Sequence, residues 1–196
     1  MTDAAPKERL LAERRGRIVA AARRLAEDEG WEAVTTRRLA DAIEYSQPVL
    51  YGHFPQGKSE IVTAVALAGF AEMEAALTDS GSVADASHDA RVRALVTTYL
   101  DFADRHRATY EAMFLLPVTV PFASADTPAV LRATFEVIAE TLRALPAEAP
   151  PSSDPETTAE VLWAAVHGLV ALQHAGRMPP ERRAQRVDEL VRLFTA

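Results

Sequence analysis

The 196-residue chain reads as an all-α protein, and three features point that way. Apolar residues recur at three- and four-residue intervals, no segment shows the alternation of a half-buried strand, and Gly, Pro and short polar clusters cut the periodic runs into helix-sized lengths. Leu11, Ile18, Ala22 and Leu25 share one side of a first helix over about 8–29, and Gly30 follows as its C-terminal cap. Thr35 offers an oxygen to the free N–H groups of a short second helix that turns Leu39, Ala40 and Ile43 inward. Ser46 repeats the device for a third helix, 47–53. There Pro48 sits in the first turn, where a missing N–H costs nothing, with Val49, Leu50, Tyr51 and Phe54 beyond it.

A fourth helix starts near Gly57 and runs through Ile61, Val65, Leu67 and Met73 toward Leu77, and the polar stretch 79–89 is a loop. Val92, Leu95, Val96, Tyr99, Leu100 and Phe102 mark a fifth helix. Tyr110, Met113, Phe114 and Leu115 mark a short sixth, ending before Pro117. Pro117, Pro121 and Pro128 punctuate an apolar connection that includes Phe122. A seventh helix over about 128–145 carries Val130, Leu131, Phe135, Ile138 and Leu142; the Pro-rich stretch 146–156 is a linker. An eighth helix spans about 155–176, residues 177–180 turn the chain, and a last helix carries Val187, Leu190, Val191 and Phe194.

Composition narrows the chemistry. With no cysteine, thiol nucleophiles and Cys-based zinc sites are excluded. No run approaches 18 uninterrupted apolar residues, and the charged N-terminus does not resemble a signal peptide, so a cytoplasmic protein with no membrane partner is expected. Residues 1–60 balance in charge, so the net charge of −7 belongs to the remainder. Within the neutral part, arginines bunch at 14, 15 and 17, at 23 and 24, and at 37 and 38, which allows a local positive face. The five histidines form no H-x-x-x-H pair, and no nucleophile elbow, phosphate loop or paired-carboxylate arrangement appears. Neither a metal site, a cofactor nor an enzyme active site is expected.

Two short helices joined by a tight turn, each with a hydroxyl N-cap, form the pattern of a helix-turn-helix, whose second helix enters the DNA major groove. Gln47, with Pro48 beside it, and Val49 offer an amide and an apolar contact to base edges. Tyr51 and His53 reach phosphates or bases, although Tyr51 at that spacing could also pack on the first helix. Thr35, Thr36 and Arg37 stand where phosphates are held. Lys58 is a cation at a helix N-terminus, against the macrodipole, a conflict that a bound phosphate would resolve.

The run Ile18-x-x-Ala21-Ala22-x-x-Leu25, then Gly30, Thr35, Leu39-Ala40, Ser46, Leu50-Tyr51-x-His53-Phe54 and Lys58, resembles the DNA-binding domain of the TetR family of transcriptional regulators over about 14–65. The resemblance implies an Ω-shaped homodimer of nine- or ten-helix subunits. It further implies a DNA-binding domain at 1–57, a ligand-binding and dimerisation domain at 58–196, and a repressor released from a palindromic operator by a small-molecule effector. Two departures stand out. Glu44-Tyr45 replaces the usual Gly-Val of the turn, and a left-handed Glu costs roughly 1 kcal/mol more than Gly; the step from Phe54 to Lys58 is also one residue longer than usual. Trp163-x-x-x-His167-Gly168 resembles a narrower subgroup that carries Trp, His and Gly on its eighth helix, where Gly168 would permit close approach.

For the effector, Tyr99, Phe102, Tyr110, Met113, Phe114, Phe135, Trp163 and His167 are the candidate lining, suggesting a mainly hydrophobic ligand; at helical spacing the same residues also suit a plain core. Helices eight and nine, through Val161, Leu162, Val166, Leu169, Leu172, Leu190, Val191 and Phe194, are the expected dimer seam. The alternative reading is a helical small-molecule carrier without DNA binding, motivated by the two departures.

Overall fold

A computed structural model describes residues 4–81, 86–121, 124–143 and 154–195. Phe122 and most of the 146–156 linker lie outside them. Among the described residues every regular element is helical: α1 (Ala4–Glu29), α2 (Thr36–Ile43), α3 (Gln47–His53), α4 (Lys58–Gly81), α5 (His88–Arg105), α6 (Arg107–Phe114), α7 (Ala129–Arg143), α8 (Pro155–His174) and α9 (Arg183–Thr195). Single 3-10 turns at Trp31–Ala33 and Pro180–Arg182, too short for periodicity to reveal, complete the order.

The chain packs as two compact units, Met1–Phe70 with His106–Thr127, and Ala71–Arg105 with Pro128–Ala196. This division by packing runs through α4 and draws α6 in with α1–α3; the division by role expected at 57/58 is a separate matter. In the first unit Ile18, Ala21, Ala22 and Ala26 of α1 meet Leu39, Ala40 and Ile43 of α2 around a core that includes Leu50, Phe54 and Trp31. Leu11, expected on the inward side, is instead exposed. α6 is keyed into α1. The Glu27 carboxylate accepts from the N–H groups of Ala108 (2.8 Å) and Thr109 (3.0 Å) and from the Thr109 hydroxyl (2.7 Å), and the Trp31 indole N–H donates to the Ala108 carbonyl at 2.8 Å.

α4 meets α6 through a glycine. A Cβ at Gly69 would stand 2.6 Å from Thr109 Cγ2 and 2.8 Å from Met113 Sδ. By length and composition α4 could pass for a membrane span, but half of its apolar stretch is buried within the protein, as in a core helix.

In the second unit α5 packs chiefly on α9 and α7 on α8, enclosing Val92, Val96, Ile138, Leu142, Leu162 and Val166. Asp154 starts α8 by accepting from the Thr157 N–H at 3.1 Å. Gly168, expected to permit close approach of a helix or ligand, has no such neighbour within its own chain: a Cβ there would meet nothing within 4 Å.

Candidate nucleic-acid interface

The turn between α2 and α3 closes despite its unusual residues. Thr35 caps α2 by accepting from the Arg38 N–H at 3.2 Å. At the other end Glu44 adopts the left-handed conformation (φ 57°, ψ 36°), and Tyr45 donates its N–H to the Ala40 carbonyl at 3.0 Å. That is the Schellman termination, with Glu in the position where glycine is easiest. Tyr45 is tied down from α1, since Arg17 donates to its hydroxyl at 3.1 Å and lies over its ring. Ser46 corrects one expectation. It stands at the N-cap of α3 but makes no side-chain capping bond, so of these two helices α2 alone has its hydroxyl cap.

α3 buries Leu50, with Phe54 buried just beyond, and exposes the opposite side. Gln47, Pro48, Val49 and Tyr51 all stand exposed, Tyr51 at 48 %. His53 is half-buried at the end of the helix, Thr36 is half-buried at the start of α2, and Thr35 and Arg37 are exposed there. The neighbouring Arg38 is occupied by the Glu29 carboxylate in a two-pronged pair at 2.6 and 2.9 Å, which holds that carboxyl below its ordinary range. Lys58, a cation at the N-terminus of α4, is also held within the protein. Its ammonium donates to the Trp31 carbonyl, leaving two further donors. The extra residue between Phe54 and Lys58 is absorbed in a tight turn, with Gly57 at φ 64° donating to the Phe54 carbonyl at 2.9 Å.

The residues expected to line an effector site fall into both units. In the second, the Trp163 indole donates to the Tyr99 hydroxyl at 3.1 Å and the ring packs edge-on to Phe135, centroids 6.0 Å apart. Tyr99 and Phe102 are buried, whereas Phe135, Trp163 and His167 are half-buried; burial lowers the pKa of His167. In the first unit Tyr110 and Met113 are buried, and half-buried Phe114 packs against Tyr110 and Phe70. A shallow cleft of roughly 330 Å³ opens elsewhere, between the Pro180–Arg182 turn and α9, and none of these residues lines it.

The expected dimer seam also divides. Leu162, Val166, Leu190 and Val191 face the chain's own core and cannot meet a partner, while Val161 and Leu172 are exposed, as is Leu193, which the sequence reading missed. Other residues it missed include Glu27, Trp31 and Glu60, whose partners lie far away in sequence. Gly69 did leave a signal, being a glycine inside a helical pattern.

A short capped helix, a tight left-handed turn and a second short helix with Gln47, Pro48, Val49 and Tyr51 outward, set on a supporting α1, define a helix-turn-helix DNA-binding protein with a helical C-terminal portion. Two family models agree: one for bacterial regulatory proteins of the tetR family matches residues 18–65, and one for the tetracyclin repressor-like C-terminal domain matches residues 92–194. The chain belongs to the TetR family of DNA-binding transcriptional regulators, whose members act without catalysis. No curated protein matches it in sequence.

Solved structures share the fold. A protein of unknown function from Rhodococcus sp. RHA1 is 24 % identical, covering 93 % of this chain and 95 % of its own, with a TM-score of 0.71. PfmR from Thermus thermophilus is 18 % identical (91 % and 97 % covered, TM-score 0.63). A TetR variant from Acinetobacter baumannii AYE, solved in complex with minocycline, is 23 % identical (91 % and 93 % covered, TM-score 0.63).

Proposed function

We propose that this regulator is a cytoplasmic homodimeric repressor, released from a palindromic operator by a mainly hydrophobic small molecule. The observation that carries the DNA-binding assignment is the exposed side of α3, where Gln47, Pro48, Val49 and Tyr51 stand clear of the protein on a closed turn. Gln47, Pro48, Val49 and His53 read bases; Thr35, Thr36, Arg37, Tyr51 and Lys58 hold phosphates. The closed turn also answers the motive for a carrier that has lost its DNA, since Glu44 and the longer step to Lys58 are both accommodated.

Self-association through α8 and α9 is supported by a stripe on α8. Val161, Ala165, Gly168 and Leu172 recur at four, three and four residues, opposite the buried Leu162, Val166 and Val170. Such a stripe of small and apolar residues suits a helix packing on its twofold copy. The residues assigned to the effector are half-buried Phe135, Trp163 and His167 with buried Tyr99 and Phe102 in the second unit, and half-buried Phe114 with buried Tyr110 and Met113 in the first. The Trp163, His167 and Gly168 pattern supports membership of the Trp-His-Gly subgroup. That a relative was solved with minocycline supports a small-molecule effector without saying which.

Fluorescence anisotropy on DNA from the protein's own upstream region, with random DNA as competitor, tests this reading. Specific binding that weakens with salt, and that the double variant Tyr51→Ala, Lys58→Ala loses while the protein stays folded, is the expected result. Unchanged binding by the double variant would overturn the site assignment.

A further inference from the structure

The recognition helix is poorly anchored by its own residues. α3 has two turns, buries Leu50 alone among them, and gains no side-chain cap from Ser46. An isolated helix of that length does not hold itself. Its orientation must come from neighbours, and one side chain supplies three contacts at its C-terminal end.

Arg15 of α1 lays its guanidinium 4.0 Å over the Phe54 ring. Its Nη1 donates to the His53 carbonyl, one of the acceptors left without a partner at the negative end of the helix. Its Nη2 donates to Glu60 Oε1 on α4 at 3.1 Å, and the other Glu60 oxygen accepts from the Gln56 N–H at 3.3 Å, within the lengthened turn that leads to Lys58. A planar fork can serve a carbonyl and a carboxylate in its plane while stacking its face on a ring; an ammonium cannot.

We infer that Arg15 is the positioning residue of the recognition helix. It sets α3 against α1 and α4 with Glu60 as its counterpart, whereas its place in the Arg14, Arg15 and Arg17 cluster suggests a phosphate contact. The same pair absorbs the extra residue that separates Phe54 from Lys58. This inference rests on the DNA-binding assignment above for its consequence, though not for its geometry.

The test uses the full-length protein and a duplex that the wild type selects from a random library, with the unselected duplex as reference and anisotropy read over a range of KCl. Arg15→Gln and Arg15→Lys should each weaken binding to the selected duplex about tenfold or more. Binding to the random duplex should stay within about twofold, and the salt slope within about 0.3 of wild type. Glu60→Gln should also weaken selected binding, although it removes an anion. Wild-type behaviour in Arg15→Lys, a slope shallower by about 0.9 per head in Arg15→Gln, or tighter binding in Glu60→Gln would each overturn the inference.

Hydrogen exchange on the free proteins supplies a readout independent of DNA. Arg15→Lys and Glu60→Gln should speed amide exchange in 50–57 about fivefold or more while α5 and α8 keep their rates. Unaltered exchange in 50–57 refutes the clamp. A wild type that selects no duplex refutes the DNA-binding assignment instead, and exchange then still decides the clamp.

Discussion

Replacing Glu27 by Ala should be among the most damaging single changes outside the apolar core. His106, at the N-cap of α6, makes no side-chain capping hydrogen bond, so the N–H groups of Ala108 and Thr109 depend on a carboxylate 81 and 82 residues upstream. The variant strands the Ala108 and Thr109 N–H groups and the hydroxyl of Thr109, a residue with 0 % exposure. A hydrogen bond to a charged group contributes about 1.5–3 kcal/mol, and a lost helix cap costs about 1 kcal/mol. Three bonds to one carboxylate do not add, and Glu27 is itself only half-buried, which brings the expected loss to about 3 kcal/mol. That is a large share of the roughly 5–15 kcal/mol that folds a domain. In a chain of this size it lowers Tm by about 6–12 °C. Urea unfolding followed by circular dichroism at one fixed protein concentration measures it, because a dimer's midpoint moves with concentration. A loss below about 1 kcal/mol would show that water replaces the carboxylate without penalty and would refute the claim that Glu27 joins α1 to α6.

Glu44→Gly should stabilise the protein by about 0.5–1 kcal/mol, because relief of the left-handed conformation outweighs the entropy glycine adds to the unfolded chain; a lower urea midpoint would contradict it. Gly69→Ala should destabilise by about 1–3 kcal/mol although alanine favours helix, since Thr109 Cγ2 stands 2.6 Å from the new Cβ and its hydroxyl is held by Glu27. A rise in midpoint would mean α6 moves aside freely. For pH, burial lowers the pKa of both His88 and His167 from 6.5. The unfolded chain therefore binds more protons than the native one below that value, so their contribution is full above pH 6.5 and is lost as pH falls through it. Urea midpoints at pH 7.5 and 5.5 should fall in that order, and the drop should shrink in His88→Phe.

Much of the fold was legible because helix ends here are marked chemically. Gly30, with φ 84°, stops α1, Thr35 caps α2, and the bounds expected for α3 are those observed. The failures have a common cause. Leu162, Val166, Leu190 and Val191 looked like a subunit seam because periodicity identifies an apolar face without saying what covers it; the chain itself covers theirs. The close approach at Gly69 was not legible for the same reason, since whether a glycine sits against a neighbour depends on a partner helix that local sequence does not name. Ser46 had the right type at the right place, yet its oxygen makes no capping bond to α3.

The arginine clusters show how sequence overstates a DNA-binding surface, and a salt titration turns that into a number. Counted by type, Arg14, Arg15, Arg17, Arg37, Arg38 and Lys58 give six cations per head, or a salt slope of about −11 for a dimer at about 0.9 per phosphate neutralised. In the folded head Arg38 is held by Glu29, Arg17 by Tyr45, and Arg15 by His53, Phe54 and Glu60. Among the proposed phosphate contacts only Arg37 and Lys58 are cations, since Thr35, Thr36 and Tyr51 touch phosphate without neutralising it. Two per head predict a slope of about −3.6 for the dimer. Anisotropy from low to moderate KCl measures the slope directly. A slope steeper than about −6 would mean that the α1 arginines leave their intramolecular partners on DNA, and the positive surface would then be as wide as the sequence suggests.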